Sequence, residues 1–442
     1  MGDARVARSV LVISRGAVGP RMASPGIRAY QIAGALARRL PRLRVTLARP
    51  AGHDPVPPPA PGVRIVDYRS NTELLRLAWR HDIAIARNFP PHFLALLGRR
   101  LLALDAYTPL QIEWMELAHR NLPPRWRRWW MASNRYYLNF QLALADYLFC
   151  ADERQRDLWI GMLVGLGLLP SEVYERDPSL RRLVGVVPYG VDPRPFAPSR
   201  PAMRGVVPGI APDDRIVLWH GTVADWNDPV TAVRAFALLR ERRPDVHLVF
   251  MGVDHPDYVF GPDAGQLRAA VELARSEGLE GKTVHFLAGW VPYERIDDYL
   301  GEAEVSLCLG FENVESRFAF RTRFVDAFRA GLPLVCTRGD VLAERVEREP
   351  LGITVPERDP AAVAAAIERL LDDEELRARC RANLARVADE LRWDRVVEPL
   401  VALCERAESI AAPLGRRRRD AALRAVAYYL LKRLNRAGPP PR

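Results

Sequence analysis

Short apolar runs alternate along this chain with longer stretches in which apolar residues recur at helical spacing. The runs at 10–13, 45–47, 63–66, 82–86, 101–104 and 147–150 read as buried strands. The first leads through a glycine-containing loop, 14–25, into a helix that opens near Gly26. There Ile27, Ile32, Leu36 and Leu40 share one face. A second series has the same rhythm. Strands are predicted at 216–219, 247–251, 284–287, 305–307 and 332–336, and helices at 229–240, 266–276, 293–300 and 322–330. Gly331 is placed to stop the last of these helices. Longer helices are predicted at 361–371, 374–390 and 394–406. Strands that alternate with helices predict parallel, doubly wound sheets, so the fold class is α/β.

Between the two series, Pro188, Pro193, Pro195, Pro198, Pro201, Pro208 and Pro212 crowd a segment that can continue neither helix nor central strand. The expected organisation is a Rossmann-like domain over 1–187, a proline-rich linker over 188–212 and a second Rossmann-like domain over 213–390. A helix over 391–410 then returns to the first domain, and a basic tail over 411–442 closes the chain, its Gly438 and final prolines reading as disordered.

Composition narrows the class. The 442 residues are 49% hydrophobic and 27% charged, enough for two cores. Cys150, Cys308, Cys336, Cys380 and Cys404 stand singly, with no CxxC pair, which disfavours a disulfide framework or a zinc site. A reducing, cytoplasmic setting is expected, and no apolar run has the length of a membrane span. The net charge is +10, carried by arginine, with Lys282 and Lys432 the lysines. Compositional bias explains it; so does attraction to a nucleotide diphosphate, a lipid phosphate or nucleic acid. No nucleic-acid module is recognisable, so that partner is disfavoured.

In doubly wound proteins ligands bind in loops beyond the carboxyl ends of strands, here expected in a cleft between two domains. The loop 14–20 with the helix opening at Gly26 and Arg28 suits close approach of a phosphate, or is an ordinary turn. Its spacing is not GxGxxG, which disfavours a dehydrogenase. His220-Gly221-Thr222 follows the first strand of the second series. Farther on, Arg317, Arg321, Thr322 and Arg323 cluster at a helix N-terminus, where charge, bidentate bonding and dipole suit a diphosphate; the alternative is a solvated face. Arg125 to Tyr137 and the tail from Arg416 mix cations with interfacial aromatics. The first reads as the main contact with an anionic inner membrane surface, the tail assisting, or as a docked helix whose tryptophans are core.

Four motifs then point to one family. Val187-Pro188-Tyr189-Gly190-Val191-Asp192, with Phe196 and Pro198, resembles the linker of family-four glycosyltransferases. Pro25-Gly26-Ile27-Arg28-Ala29 is similar to the first turn of a helix in one branch. Gly289-Trp290-Val291-Pro292-Tyr293-Glu294 is similar to the turn that lies against the donor base. Arg321-Thr322-Arg323 through Ala330-Gly331-Leu332-Pro333 resembles the segment that holds donor phosphates and ribose. The likeness covers most of the chain in the right order. It implies a GT-B fold and retaining transfer of a sugar from a nucleotide-sugar donor. The acceptor would be a glycan, a lipid-linked or a small molecule of envelope glycan, glycolipid or natural-product synthesis, with no metal or cofactor. The donor residues it implies are Gly26, Arg28, His220, Gly221, Thr222, Trp290, Val291, Thr322 and Asp326. Asp105, Glu315, Arg321 and Arg323 fall at the reacting centre, where positive charge on the leaving diphosphate is the main catalytic lever.

The chain departs from the family at several of these positions. Counting back from Gly331, the family's second glutamate falls on Asp326 and its first on Phe318, leaving Glu315 as the nearest upstream acid. Thr222 and Asn227 stand where the family has arginine and lysine. Two other readings follow: a non-catalytic nucleotide-sugar-binding protein, and a GT-B-fold epimerase, which needs an acid/base set that the sequence does not display.

Overall fold

The computed structural model describes residues 6–253, 265–411 and 414–435. Within them the chain divides into two compact units, residues 6–190 with those from Trp393 onward, and residues 191–392.

The first unit is built on β1 (Ser9–Ile13), β2 (Arg44–Pro50), β3 (Val63–Tyr68), β4 (Ile83–Ala86), β5 (Leu101–Asp105), β6 (Tyr147–Cys150) and β7 (Val184–Val186). They form one parallel sheet in the order β3-β2-β1-β4-β5-β6-β7. Strand order reverses beside β1, the switch point at which doubly wound sheets open a crevice. Its helices are α1 (Ser24–Arg39), α2 (Asn71–Trp79), α3 (Leu110–Asn121), α4 (Pro124–Leu144), α5 (Glu153–Gly165) and α6 (Ser171–Arg176).

The second unit repeats the plan. Its strands are β8 (Arg215–His220), β9 (Val246–Met251), β10 (Val284–Phe286), β11 (Val305–Cys308), β12 (Leu334–Thr337) and β13 (Gly352–Val355). Their order is β10-β9-β8-β11-β12-β13, again parallel, with the reversal beside β8. Helices α7 (Pro229–Leu239), α8 (Gly265–Ser276), α9 (Ile296–Leu300), α10 (Val314–Phe318), α11 (Thr322–Ala330), α12 (Val341–Arg348), α13 (Pro360–Asp372) and α14 (Glu374–Glu390) complete it. The chain then returns to the first unit through α15 (Trp393–Val396), α16 (Glu398–Arg406) and α17 (Leu414–Asn435). Arg38 and Arg39 at the end of α1 pair with Asp394 and Glu398 and fix that return.

Two strands escape the hydrophobic pattern. β7 and β13 are short, and each carries a glycine that its neighbour demands. A Cβ at Gly185 would fall 1.9 Å from the Tyr147 hydroxyl, and one at Gly352 would fall 2.0 Å from the Leu334 carbonyl oxygen. The helix expected over 394–406 is broken, because Pro399 enters the first turn of α16.

The proline-rich segment is not a free linker from Val191 onward. The Ala197 and Ser199 amides donate to Asp297 and Asp298, and the Ala202, Met203 and Arg204 amides donate to Glu302. A Cβ at Gly301 would meet Pro198 at 2.4 Å, and the Arg329 guanidinium lies 5.6 Å above the Phe196 ring. These contacts give the motif residues Phe196 and Pro198 a packing role in the second domain. Within the tail, residues 414–435 form a helix that docks on α4. Gly438 and the closing prolines lie outside the described residues.

Candidate functional site

In the second domain the chemistry collects where β8 ends, at the switch in strand order. His220 is the last residue of β8 and is buried. Its Nε2 faces Asp326 Oδ2 at 3.3 Å, and its Nδ1 is buried with no hydrogen-bond partner. The backbone then passes through Gly221 at φ +89°, a conformation in which side-chain-bearing residues are strained. Space opens above it, with no heavy atom within 4 Å of an ideal Cβ position.

Helix α11 points its N-terminus into this region. Arg321 is its N-cap and makes no side-chain capping bond, and Thr322 opens the first turn. From that turn Arg323 reaches back to β8. Its Nη2 donates to the Thr222 carbonyl at 2.7 Å, and the guanidinium lies 5.5 Å from the Trp219 ring. Nη1 is buried and has no partner. Burial, reinforced by the neighbouring Arg321 charge, draws the Arg323 guanidinium below its ordinary value, yet an arginine in a protein stays cationic. A buried donor without an acceptor beside a helix N-terminus is what an anionic ligand oxygen would satisfy. One turn into α11, Asp326 stays partly exposed, its side chain 34% accessible.

A third element closes on the same place. Gly252, just past β9, has φ +72°, and a Cβ there would sit 3.5 Å from the Trp290 ring and 3.7 Å from the Gly221 Cα. The turn holding Trp290 and the half-buried Val291 is thus brought against the end of β8. Gly252 was not singled out in the sequence; its signal is a glycine directly after a predicted strand.

Arg321, by contrast, is engaged internally. Its guanidinium grips Glu315 through two bonds, Nη1 to Oε1 at 3.0 Å and Nη2 to Oε2 at 2.7 Å, and Asp340 lies 4.0 Å away. Asp340 itself caps α12 by accepting from the Leu342 and Ala343 amides. Burial pushes its carboxyl up to about 6, against the pull of Arg321. Glu315 and Arg321 thus satisfy each other ahead of α11, whereas Arg323 keeps one donor without a partner. Arg317 is on the exposed face. Asn227 accepts from the Ala224 amide and so fixes the loop after β8.

In the first domain, Arg28 and Asp105 form a brace rather than an open pair. Nε and Nη2 of Arg28 bond the two Asp105 oxygens at 2.7 and 3.0 Å, and the remaining donors go to the Val187 and Pro188 carbonyls. The rings of Tyr107, Phe149 and Trp393 surround the guanidinium, which leaves Arg28 1% exposed. Gly26 answers a close approach inside the fold, since a Cβ would fall 2.0 Å from the Ala17 carbonyl oxygen. Among the described residues no group of three or more His, Cys, Asp or Glu side chains could hold a metal ion.

Two Rossmann-like parallel sheets in one chain, the second with an anion-ready helix terminus at its switch strand, define a GT-B-type protein. Residues 206–387 match the family described as Glycosyl transferases group 1. The match spans most of the second domain. The D-inositol 3-phosphate glycosyltransferase of Jonesia denitrificans is 26% identical over 255 residues, covering 54% of this chain and 54% of that protein. The chain thus spans about half the length of the curated relatives it matches. Two solved structures share the fold over nearly all of the chain. Sucrose-phosphate synthase from Thermosynechococcus elongatus has a TM-score of 0.64 at 17% identity and covers 90% of this chain and 98% of its own. Anabaena HepE, in complex with UDP and glucose, has a TM-score of 0.60 at 15% identity, with 89% and 98% covered.

Proposed function

We propose that this protein is a retaining glycosyltransferase that binds a nucleotide-sugar donor on its second domain. The acceptor on this reading belongs to cell-envelope glycan, glycolipid or natural-product assembly. The observation that carries it is the buried, unpartnered Arg323 Nη1 at the N-terminus of α11. Such a donor fits a diphosphate, its guanidinium bond supplementing the helix dipole. The UDP and glucose named for HepE support a uridine donor as the first to try.

In the mechanism that follows, Arg323 and the α11 terminus stabilise the charge that grows on the leaving diphosphate. His220 faces Asp326 through Nε2 and positions that carboxylate. The departing phosphate oxygen takes the acceptor proton, so no protein nucleophile and no metal enter the step. The test is a thermal-shift screen against a panel of nucleotide sugars, followed by assay of the best binder for slow release of free nucleoside diphosphate. A donor that stabilises the protein and is slowly hydrolysed supports the proposal. A screen in which no nucleotide sugar shifts the melting temperature sinks it.

A further inference from the structure

The tail helix α17 divides its basic block between two directions. Arg417 turns inward and is 4% exposed. Its Nη1 pairs with Asp146 at 2.7 Å, and Nη2 and Nε donate to the Leu144 and Ala143 carbonyls at the end of α4. Arg418 donates to the Leu97 carbonyl. Ala421 and Ala425 pack against the core, and the Tyr428 ring lies 5.0 Å from Tyr137 of α4. One face of α17 is thereby locked to the first domain.

The opposite face is apolar and open. Leu423 is 70% exposed, Val426 59% and Leu430 58%, with Tyr429 at the edge. Their spacing puts the three aliphatic residues on one stripe. Exposed Arg419 and Arg433 continue that stripe at its two ends. Large apolar side chains left aligned on a firmly docked helix mark a contact surface, not a packing defect.

We infer that this stripe is a docking face for an anionic lipid surface, with Leu423, Val426 and Leu430 entering the headgroup boundary and Arg419 and Arg433 meeting lipid phosphates. The inference stands apart from the donor reading, which concerns the other domain. Charge selects the occupant. Apart from Arg417 and Arg418, which bond to backbone carbonyls, the described side chains of the helix include Arg419, Arg424, Lys432 and Arg433 against a single acid, Asp420. A second copy seated on the stripe would press like charges together, whereas an anionic bilayer complements them. A helix lying flat, apolar below and cationic at its flanks, is the geometry of interfacial attachment, and the arginine stems let their heads reach the phosphates. The sequence favoured the tryptophans of α4 as the primary anchor. In the structure Trp126 has a buried indole nitrogen and Trp130 packs edge-on against Trp114 at 6.4 Å, which leaves Trp129 as the exposed one. The tail helix is the stronger anchor.

Vesicle co-sedimentation tests this with phosphatidylcholine vesicles that contain or lack phosphatidylglycerol. The full chain is expected to bind only the anionic vesicles at low salt and to be released as salt rises. The triple variant L423S/V426S/L430S should lose roughly tenfold or more of that partitioning. A second variant, R419Q/R433Q, touches no packed side chain and should lose about fivefold per charge, while W129S should bind like the parent. Three results would overturn the inference. One is a full chain that ignores anionic vesicles at low salt. Another is a triple variant that binds as well as the parent. The third is a vesicle-free dimer of the parent that the triple substitution dissolves. Nucleoside diphosphate binding, followed by thermal shift, should be unaltered in every variant. Its absence throughout would count against the donor reading and leave this one standing.

Discussion

Arg321, the N-cap of α11, holds Glu315 of α10 in a two-bond grip, the carboxylate 1% exposed and the guanidinium 11%. Removing one member strands the other charge out of water. Glu315→Gln should therefore lower unfolding stability by roughly 3–5 kcal/mol. The double variant E315L/R321M, which removes both charges, should recover most of that loss. Urea titration of the three proteins decides the matter. A Glu315→Gln protein that is fully stable but inactive would return Glu315 to the reacting centre.

Arg323 behaves differently because one of its donors has nothing to bond. Arg323→Ala should weaken nucleoside diphosphate binding by about 1.5–3 kcal/mol, the value of a charged hydrogen bond, and should slow turnover of any donor found. The exposed Arg317 supplies the control, since R317A should bind like the parent. Isothermal titration separates the two. Equal affinity in R323A and parent removes Arg323 from the donor site.

Asp326 and Asp340 should fail in opposite ways. Asp326 is partly exposed and faces His220, so it is placed to accept from ribose hydroxyls. Asp326→Asn should reduce nucleotide affinity with an unchanged melting temperature. Asp340 is buried and caps α12, so Asp340→Ala should cost about 1 kcal/mol of stability and leave affinity alone. If both variants lose affinity and stability together, the ribose assignment of Asp326 is wrong.

The sequence made the architecture legible because most of the parallel strands are buried on both faces and so appear as apolar runs. β7 and β13 were missed for the converse reason: Gly185 and Gly352 sit where a neighbour leaves no room for a side chain. At the site, pattern and motif brought His220, Gly221, Thr222 and Arg323 to one locality. Neither could tell which arginine of the cluster is free. That depends on Glu315 and Asp340, which reach Arg321 only in the folded domain. Nor could spacing reveal that Arg28 and Asp105, far apart in sequence, satisfy each other behind three aromatic rings.

The last prediction concerns pH. His247 and His285 lie side by side on β9 and β10, with His247 Nδ1 3.1 Å from His285 Nε2. His247 Nε2 is 2.9 Å from Asp214, so it is the donor there and Nδ1 is left as an acceptor. His285 Nε2–H then donates, shared between His247 Nδ1 and the Lys282 carbonyl at 3.1 Å. A second proton on His285 would go to its other ring nitrogen and place a charge in a buried site. Burial first, and His247 second, accordingly lower His285 to about 4 from an ordinary value near 6.5. The sign follows from linkage. The unfolded chain binds a proton near pH 6.5 that the folded protein refuses until about pH 4. Stability from this group is complete above pH 6.5 and is lost as pH falls through that window, by about 3 kcal/mol at most. His285→Gln keeps an N–H donor and cannot titrate. Its unfolding free energy should decline less steeply between pH 6.5 and 4 than that of the parent. Parallel pH profiles for the two proteins would show that the histidine pair does not govern acid stability.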